Sequence, residues 1–330
     1  MIIKKYDQGW GPEWELKKFE STIIDAYLRP LELSDSAVVV INSTWYTDEL
    51  HSKVLEQLKI LRPDMIILIA MLDSAIPRPN WFDNTGIPAM GVGYYAGDHY
   101  IDWWALVVEK YMKLDHYDLV NHASIDTAFM SLNRKPHWHR RKLYQALEHY
   151  NLLDHGIVSM GGDEEHSAKR ILETDQGCTD IAPNAGTAQH GIANDIASLG
   201  HPTNWQRHFL NIVSETMWHI DDHRFVSEKI FKPIIGQRPF LVYDVNGACD
   251  WLTSNGFEPY VEDFKDISDL DLTVPDNIPL FLTALTGQKQ SYYQSKYVAL
   301  KEKIQYNRSM FTKHVNNQKI KVQQGIPCQI

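Results

Sequence analysis

The stretch HFLNIVSETMWHIDDHRFVSEKIFKPIIGQRPFLVYD, residues 208–244, carries the signals of two buried strands with a short helix between them. HFLNIVSET (208–216) and FLVYD (240–244) are short, apolar runs rich in β-branched and aromatic residues, as strands covered on both faces are. Between them, Ser227 has the character of an N-cap, Glu228–Ile235 of a short helix and Gly236 of its stop. A strand, a helix and a second strand in that order predict a parallel sheet.

The alternation continues outward in both directions. AFMSLN (128–133) predicts a strand, HRRKLYQALEHYNLL (139–153) a helix and GIVSM (156–160) a strand. Nearer the start, SAVVVINSTW (36–45), RPDMIILIAML (62–72), GIPAMGVGY (86–94) and YDLVNHAS (117–124) predict strands. TDELHSKVLEQLKIL (47–61), opened by Thr47, and DWWALVVEKYMKL (102–114) have helical spacing. Residues 161–205 are polar and lack periodicity, the pattern of a long lid or substrate loop. GACDWLTSNG (247–256) and the amphipathic segment from Ser291 to His314 predict further helices. The expectation is an α/β protein of two Rossmann-like domains, 1–127 and 128–290, facing each other across a cleft. Residues 291–330 are expected to pack back on the first domain. Ligands of such sheets bind beyond the carboxyl ends of the strands.

Charge and composition narrow the partners. The chain has 330 residues and a net charge of −10, so its surface as a whole repels phosphate backbones and anionic membranes. Cys178, Cys249 and Cys328 have no metal-binding spacing and are too few for a disulfide framework. The first residues lack a signal-peptide core, and the longest apolar run, Met65–Leu72, is too short to span a bilayer. These features predict a soluble cytoplasmic protein with no membrane span.

The Ser227 helix start invites a charged ligand. Free backbone N–H groups and the positive end of the helix dipole favour a phosphate there. Lys229 in the first turn is disfavoured unless an anion is present, and Lys232 adds a second cation. Glu228 can accept two hydrogen bonds from a ribose diol, and Pro233 is tolerable near the first turn. The plain alternative is a surface helix with solvated charges. The neighbours weigh against it. Glu215 ends the preceding strand, while NRKPHWHRRK (133–142) sets Arg134, Arg140 and two histidines at a strand-to-helix turn. Arginine recognises phosphate through a planar fork, so the set suits a nucleotide diphosphate.

Two segments resemble α1,3-fucosyltransferase-like enzymes. RRKLYQALEHYNLLDHG (140–156) is similar to the segment in which that family opens a helix with Arg-x-x-x-Tyr-Gln-x-Leu. Residues 208–244 are similar to its later segment, where a Phe-Glu-Asn-Ser strand end precedes Tyr-Val-Thr-Glu-Lys, a helix, a Gly and Pro-hydrophobic-Val. The resemblance implies a GT-B glycosyltransferase that binds a nucleotide sugar in its C-terminal domain without metal or other cofactor and inverts the anomeric centre. Carried over by position, Arg140 contacts the diphosphate, Glu228 the ribose and Lys229 the phosphates, with Glu215 near the donor sugar. Phe225 and Ser227 stand where the family has Tyr and Thr, and Ser-Glu-Thr replaces Glu-Asn-Ser, so GDP-fucose is not implied.

The reaction also needs a general base for the acceptor hydroxyl. Asp73, at the end of MIILIAML, is the first candidate; Asp98 and His99 in YYAGDHY follow. The acceptor could be a glycan, a small molecule or a modified DNA base. Two other readings compete. GVGYYAG (91–97) is a loose dinucleotide fingerprint that would fit an NAD(P)-dependent oxidoreductase. A non-catalytic nucleotide-binding protein would carry the same helix start. HIDDH (219–223) pairs histidines four apart, but its place between a strand and a capped helix fits loop charges better than a metal site. Trp103 and Trp104 could stack on an acceptor or fill the helix core.

Overall fold

The β-branched runs VVVIN and MIILIA lie side by side as strands β2 (Val38–Asn42) and β3 (Met65–Ala70). The source is a computed structural model. It describes residues 3–6, 38–42, 52, 55, 56, 58–60, 63–70, 84–87, 89–93, 100–111, 122–162, 165–170, 199, 202–215, 218, 226–244 and 247–323. With β1 (Ile3–Tyr6), β4 (Ala89–Gly93) and β5 (Tyr100–Asp102), these strands form a five-stranded parallel sheet in chain order, β1-β2-β3-β4-β5. Helix α1 (Trp103–Tyr111) leaves β5 directly. Asp102 caps it by accepting the Ala105 N–H at 3.1 Å. Trp104 lies in the core, which rules out the acceptor-stacking role for that indole.

Two expectations change in this half. Gly91 and Gly93 are ladder residues of β4, paired on both sides with β3 and β5, so they form no phosphate-cradling turn. The strand expected at 117–124 is absent at its described end, where His122–Ser124 is a 3-10 turn. Strand β5, which the sequence reading did not anticipate, is too short to carry an alternation signal.

A second parallel sheet contains β6 (Thr127–Asn133), β7 (Gly156–Met160), β8 (His208–Ser214) and β9 (Phe240–Tyr243) in the order β7-β6-β8-β9. All seven residues of β8 are buried, as a central parallel strand requires. The helices that follow in the chain are α2 (Trp138–His149), α3 (Pro202–Arg207), α4 (Glu228–Ile235), α5 (Ala248–Ser254), α6 (Asn277–Thr286), α7 (Gln290–Ala299) and α8 (Lys301–Gln323). Helix α4 packs on β8, and α7 packs on β6 and β8. Aromatic rings fill the space between: Phe209 stacks on Tyr293 at 5.8 Å and meets the edge of Phe264 at 6.1 Å. Helix α3 begins inside the stretch 161–205 expected to be a loop and runs two residues past it; at six residues it is too short for a periodic signal.

The chain divides into two compact units. One comprises Met1–Val107, Gln189–Ile192 and Val315–Ile330; the other comprises Val108–Ala188 and Ala193–His314. The second holds the β6–β9 sheet together with Arg134, Arg140, Glu215 and the Ser227–Lys232 segment. Among the described residues, no helix is long and apolar enough to cross a membrane.

Candidate functional site

The strand order β7-β6-β8-β9 reverses direction between β6 and β8. From β6 the chain crosses to β7 on one side, and it returns to continue through β8 and β9 on the other. Such a switch point leaves a crevice beyond the carboxyl ends of the two central strands, because the following helices depart on opposite faces. Helix α2 leaves the end of β6 and α4 follows the end of β8, so their N-termini belong to this edge.

At the start of α2 two arginines stand side by side, and helical spacing separates their fates. Arg140, Leu143, Tyr144 and Leu147 form the buried stripe, so Arg140 is only 4% exposed while Arg141 is half-buried. The Arg140 guanidinium braces the turn, with Nη2 donating to Ser214 O at 3.1 Å and Nη1 to Lys135 O at 3.4 Å. Arg141 Nη1 instead donates to Pro136 O at 2.6 Å and lies 3.1 Å from the His166 ring. His139 bonds Glu215 O at 2.8 Å through Nε2 and stacks on Trp218. Trp138 remains 48% exposed at the rim, its ring edge-on to Trp218 at 5.3 Å.

At the start of α4 the N-cap is a relay. Ser227 Oγ donates to Glu215 Oε2 and accepts the Lys229 N–H at 3.4 Å; the Ser227 N–H donates to Glu215 Oε1 at 3.0 Å. Glu215, 1% exposed, therefore holds the cap with both carboxylate oxygens, a positioning role rather than an open contact for a donor sugar. Lys229 Nζ donates to Glu228 Oε1 at 2.7 Å and to Ser227 Oγ at 3.4 Å. That carboxylate offsets the unfavourable cation in the first turn. Lys232, a turn later, is buried and lies with Lys229, Ser214, Asn211, Leu132 and Trp205 around a cavity of about 30 Å³.

The titrations follow from burial and from these cations. Burial pushes the Glu215 carboxyl above its ordinary range, with the Lys229 charge and the Ser227 hydroxyl opposing it. Burial would do the same to Glu228, but Lys229 and Lys232 outweigh it and hold that carboxyl low. Burial and the Arg140 charge push the His137 imidazole down to about 4, so it is neutral at physiological pH.

The structure thus gathers Arg140, Glu215, Ser227, Glu228, Lys229 and Lys232 at one sheet edge. Arg134 follows β6 directly and is half-buried. Asp73, Asp98, His99 and Phe225 lie outside the described residues, as does the stretch 219–223. Comparison with family models, curated proteins and solved structures finds no match to this chain. Sequence reasoning took His137 only as one of the two histidines of the turn and gave Asn133 and Ser214 no role. Their only local signal is a polar residue at or just past the end of an apolar strand, which many loops share. Chemically the edge offers two helix N-termini, fixed cations and a low carboxylate, a set that fits an anion carrying hydroxyl groups.

Proposed function

We propose that this protein is a GT-B-like glycosyltransferase that moves a sugar from a nucleotide diphosphate sugar to an acceptor hydroxyl. The observation that carries the reading is the meeting of the α2 and α4 N-termini at the β6–β8 switch point, with Lys229, Lys232 and Arg140 fixed around it. The resemblance of residues 140–156 and 208–244 to α1,3-fucosyltransferase-like enzymes supports it independently.

The chemistry follows from charge. Breaking the glycosidic bond leaves negative charge on the departing nucleoside diphosphate, and fixed donors stabilise it as it develops. The positive dipole end of α4 and the Lys229 ammonium face that charge. Lys229 exchanges its contact with Glu228 for the phosphates, which frees Glu228 to accept from ribose hydroxyls. Arg140 contributes its positive field while holding the turn on the Ser214 carbonyl. A base drawn from Asp73, Asp98 or His99 takes the proton of the acceptor, which is a glycan, a small molecule or a modified DNA base. The protein works in the cytoplasm and needs no metal.

A thermal-shift screen across UDP, GDP, ADP, CMP and NAD, with the corresponding sugar nucleotides, tests this. At least one nucleoside diphosphate is expected to raise the melting midpoint, and Lys229→Ala to abolish both that shift and sugar transfer. Protection by NAD alone would point to an oxidoreductase. A nucleotide shift with no hydrolysis or transfer from any sugar nucleotide would point to a binding protein.

A further inference from the structure

Three buried polar atoms at the carboxyl edge of β6 and β8 have no hydrogen-bond partner among the described residues: Asn133 Oδ1, His137 Nε2 and Ser214 Oγ. Folded proteins hold few such atoms, and each calls for a reason. Asn133 is 3% exposed and ends β6; Ser214 is 5% exposed and ends β8. The pairing sets Met130 beside Asn211, and the same offset brings Asn133 beside Ser214 with both side chains on one face of the sheet. His137 is the N-cap position of α2, and Arg140 of that helix reaches Ser214 O at 3.1 Å. Ser214 also lines the cavity beside Lys229 and Lys232, which places that residue next to the anion seat.

The atom types say what can fit. Asn133 Nδ2 donates to Ser131 Oγ at 3.2 Å, so its remaining group, Oδ1, only accepts. A phosphate oxygen would repel that atom, whereas an O–H satisfies it. The Ser214 hydroxyl both donates and accepts. The neutral imidazole of His137 presents at Nε2 either a donor or an acceptor, according to its tautomer. One acceptor-only group beside two that can take either part matches neighbouring hydroxyls, which themselves donate and accept.

We infer that Asn133, His137 and Ser214 form a subsite for a hydroxyl-bearing ring joined to the anion seated at α4. This rests on the proposed anion seat and adds the residues that read the hydroxyls. A ribose and a transferred sugar share that chemistry, and a calorimetric titration of the full chain separates them.

The probes are inorganic pyrophosphate, UDP, GDP, ADP, the 2′,3′-dideoxy form of whichever nucleotide binds, UDP-glucose and GDP-mannose. Because the Ser214 hydroxyl has no hydrogen-bond partner among the described residues, Ser214→Ala is expected to keep the wild-type melting midpoint and pyrophosphate affinity. Its affinity for hydroxyl-bearing ligands should fall about 3- to 10-fold. His137→Gln is measured alongside as a second variant of the same subsite. A loss that appears with the nucleoside diphosphate and vanishes with its dideoxy form assigns the ribose. A loss confined to the sugar nucleotide assigns the transferred sugar. Equal weakening of pyrophosphate and nucleotides in both variants, or no weakening in either, overturns the subsite. If wild-type protein binds neither pyrophosphate nor any nucleotide, the anion seat itself is wrong.

Discussion

Ser227 shows how far one residue's role exceeds its local motif. As a cap alone, its replacement by alanine would cost about 1 kcal/mol. The structure adds the buried Glu215 carboxylate, which takes both the hydroxyl and the N–H of Ser227. Losing the hydroxyl leaves one oxygen of that carboxylate buried without its donor, a further cost of about 1 to 3 kcal/mol. Ser227→Ala is therefore expected to lower the unfolding free energy by about 2 to 4 kcal/mol in urea titration. Ser227→Thr, which keeps the donor, should recover most of it. A loss of only a cap's worth would mean that Glu215 does not depend on the hydroxyl. The motif Ser-Glu-Lys made the cap legible. The carboxylate partner was not, because it lies twelve residues upstream on a different element.

At the scale of elements, helix α4 begins and ends where residues 224–244 predict, but its stop works differently. Gly236 has φ −69°, and the left-handed conformation falls on Gln237 at φ 54°. Arg238 N–H reaches Pro233 O at 2.9 Å and Gln237 N–H reaches Ile234 O at 3.3 Å, the two bonds of a Schellman stop. Gly236 is needed for a different reason: a Cβ there would lie 2.2 Å from the Trp205 ring. Gly236→Ala is expected to cost about 1 to 3 kcal/mol through overpacking, whereas Gln237→Gly should be neutral or gain up to about 1 kcal/mol. Chemical denaturation of the two variants checks the assignment, and the opposite ranking would return the left-handed role to Gly236. Pro233 also sits deeper than expected, as the sixth helical residue, and the helix ends two residues later. Element types were readable because periodicity is local. The reason for a glycine was not, because Trp205 arrives from another helix.

For the molecule as a whole, the balance of buried titratable groups sets a pH response. His137 is pushed down to about 4, and burial with the Arg238 charge holds His208 well below its ordinary value. Both bind fewer protons folded than unfolded, so their contribution is complete above about pH 6.5 and is lost as pH falls through the folded pKa. Glu215 works the other way: raised by burial, its contribution is present at low pH and lost as pH rises through its folded pKa. Urea midpoints measured between pH 4 and 7 should fall toward acid in the wild-type protein. The fall should be shallower in His137→Gln, and an identical slope in that variant would show that the imidazole is not held neutral. The sequence by itself determined the α/β class, the two strand–helix series, the capped helix at Ser227 and the cations near it. Each is a local matter of apolar spacing, propensity and capping chemistry. Only the tertiary structure decided that β6 and β8 are neighbours at a switch point and that Arg140 rather than Arg141 turns inward. It alone gave Glu215 to Ser227 and brought Asn133 beside Ser214, because strand order and register depend on contacts between segments far apart in the chain.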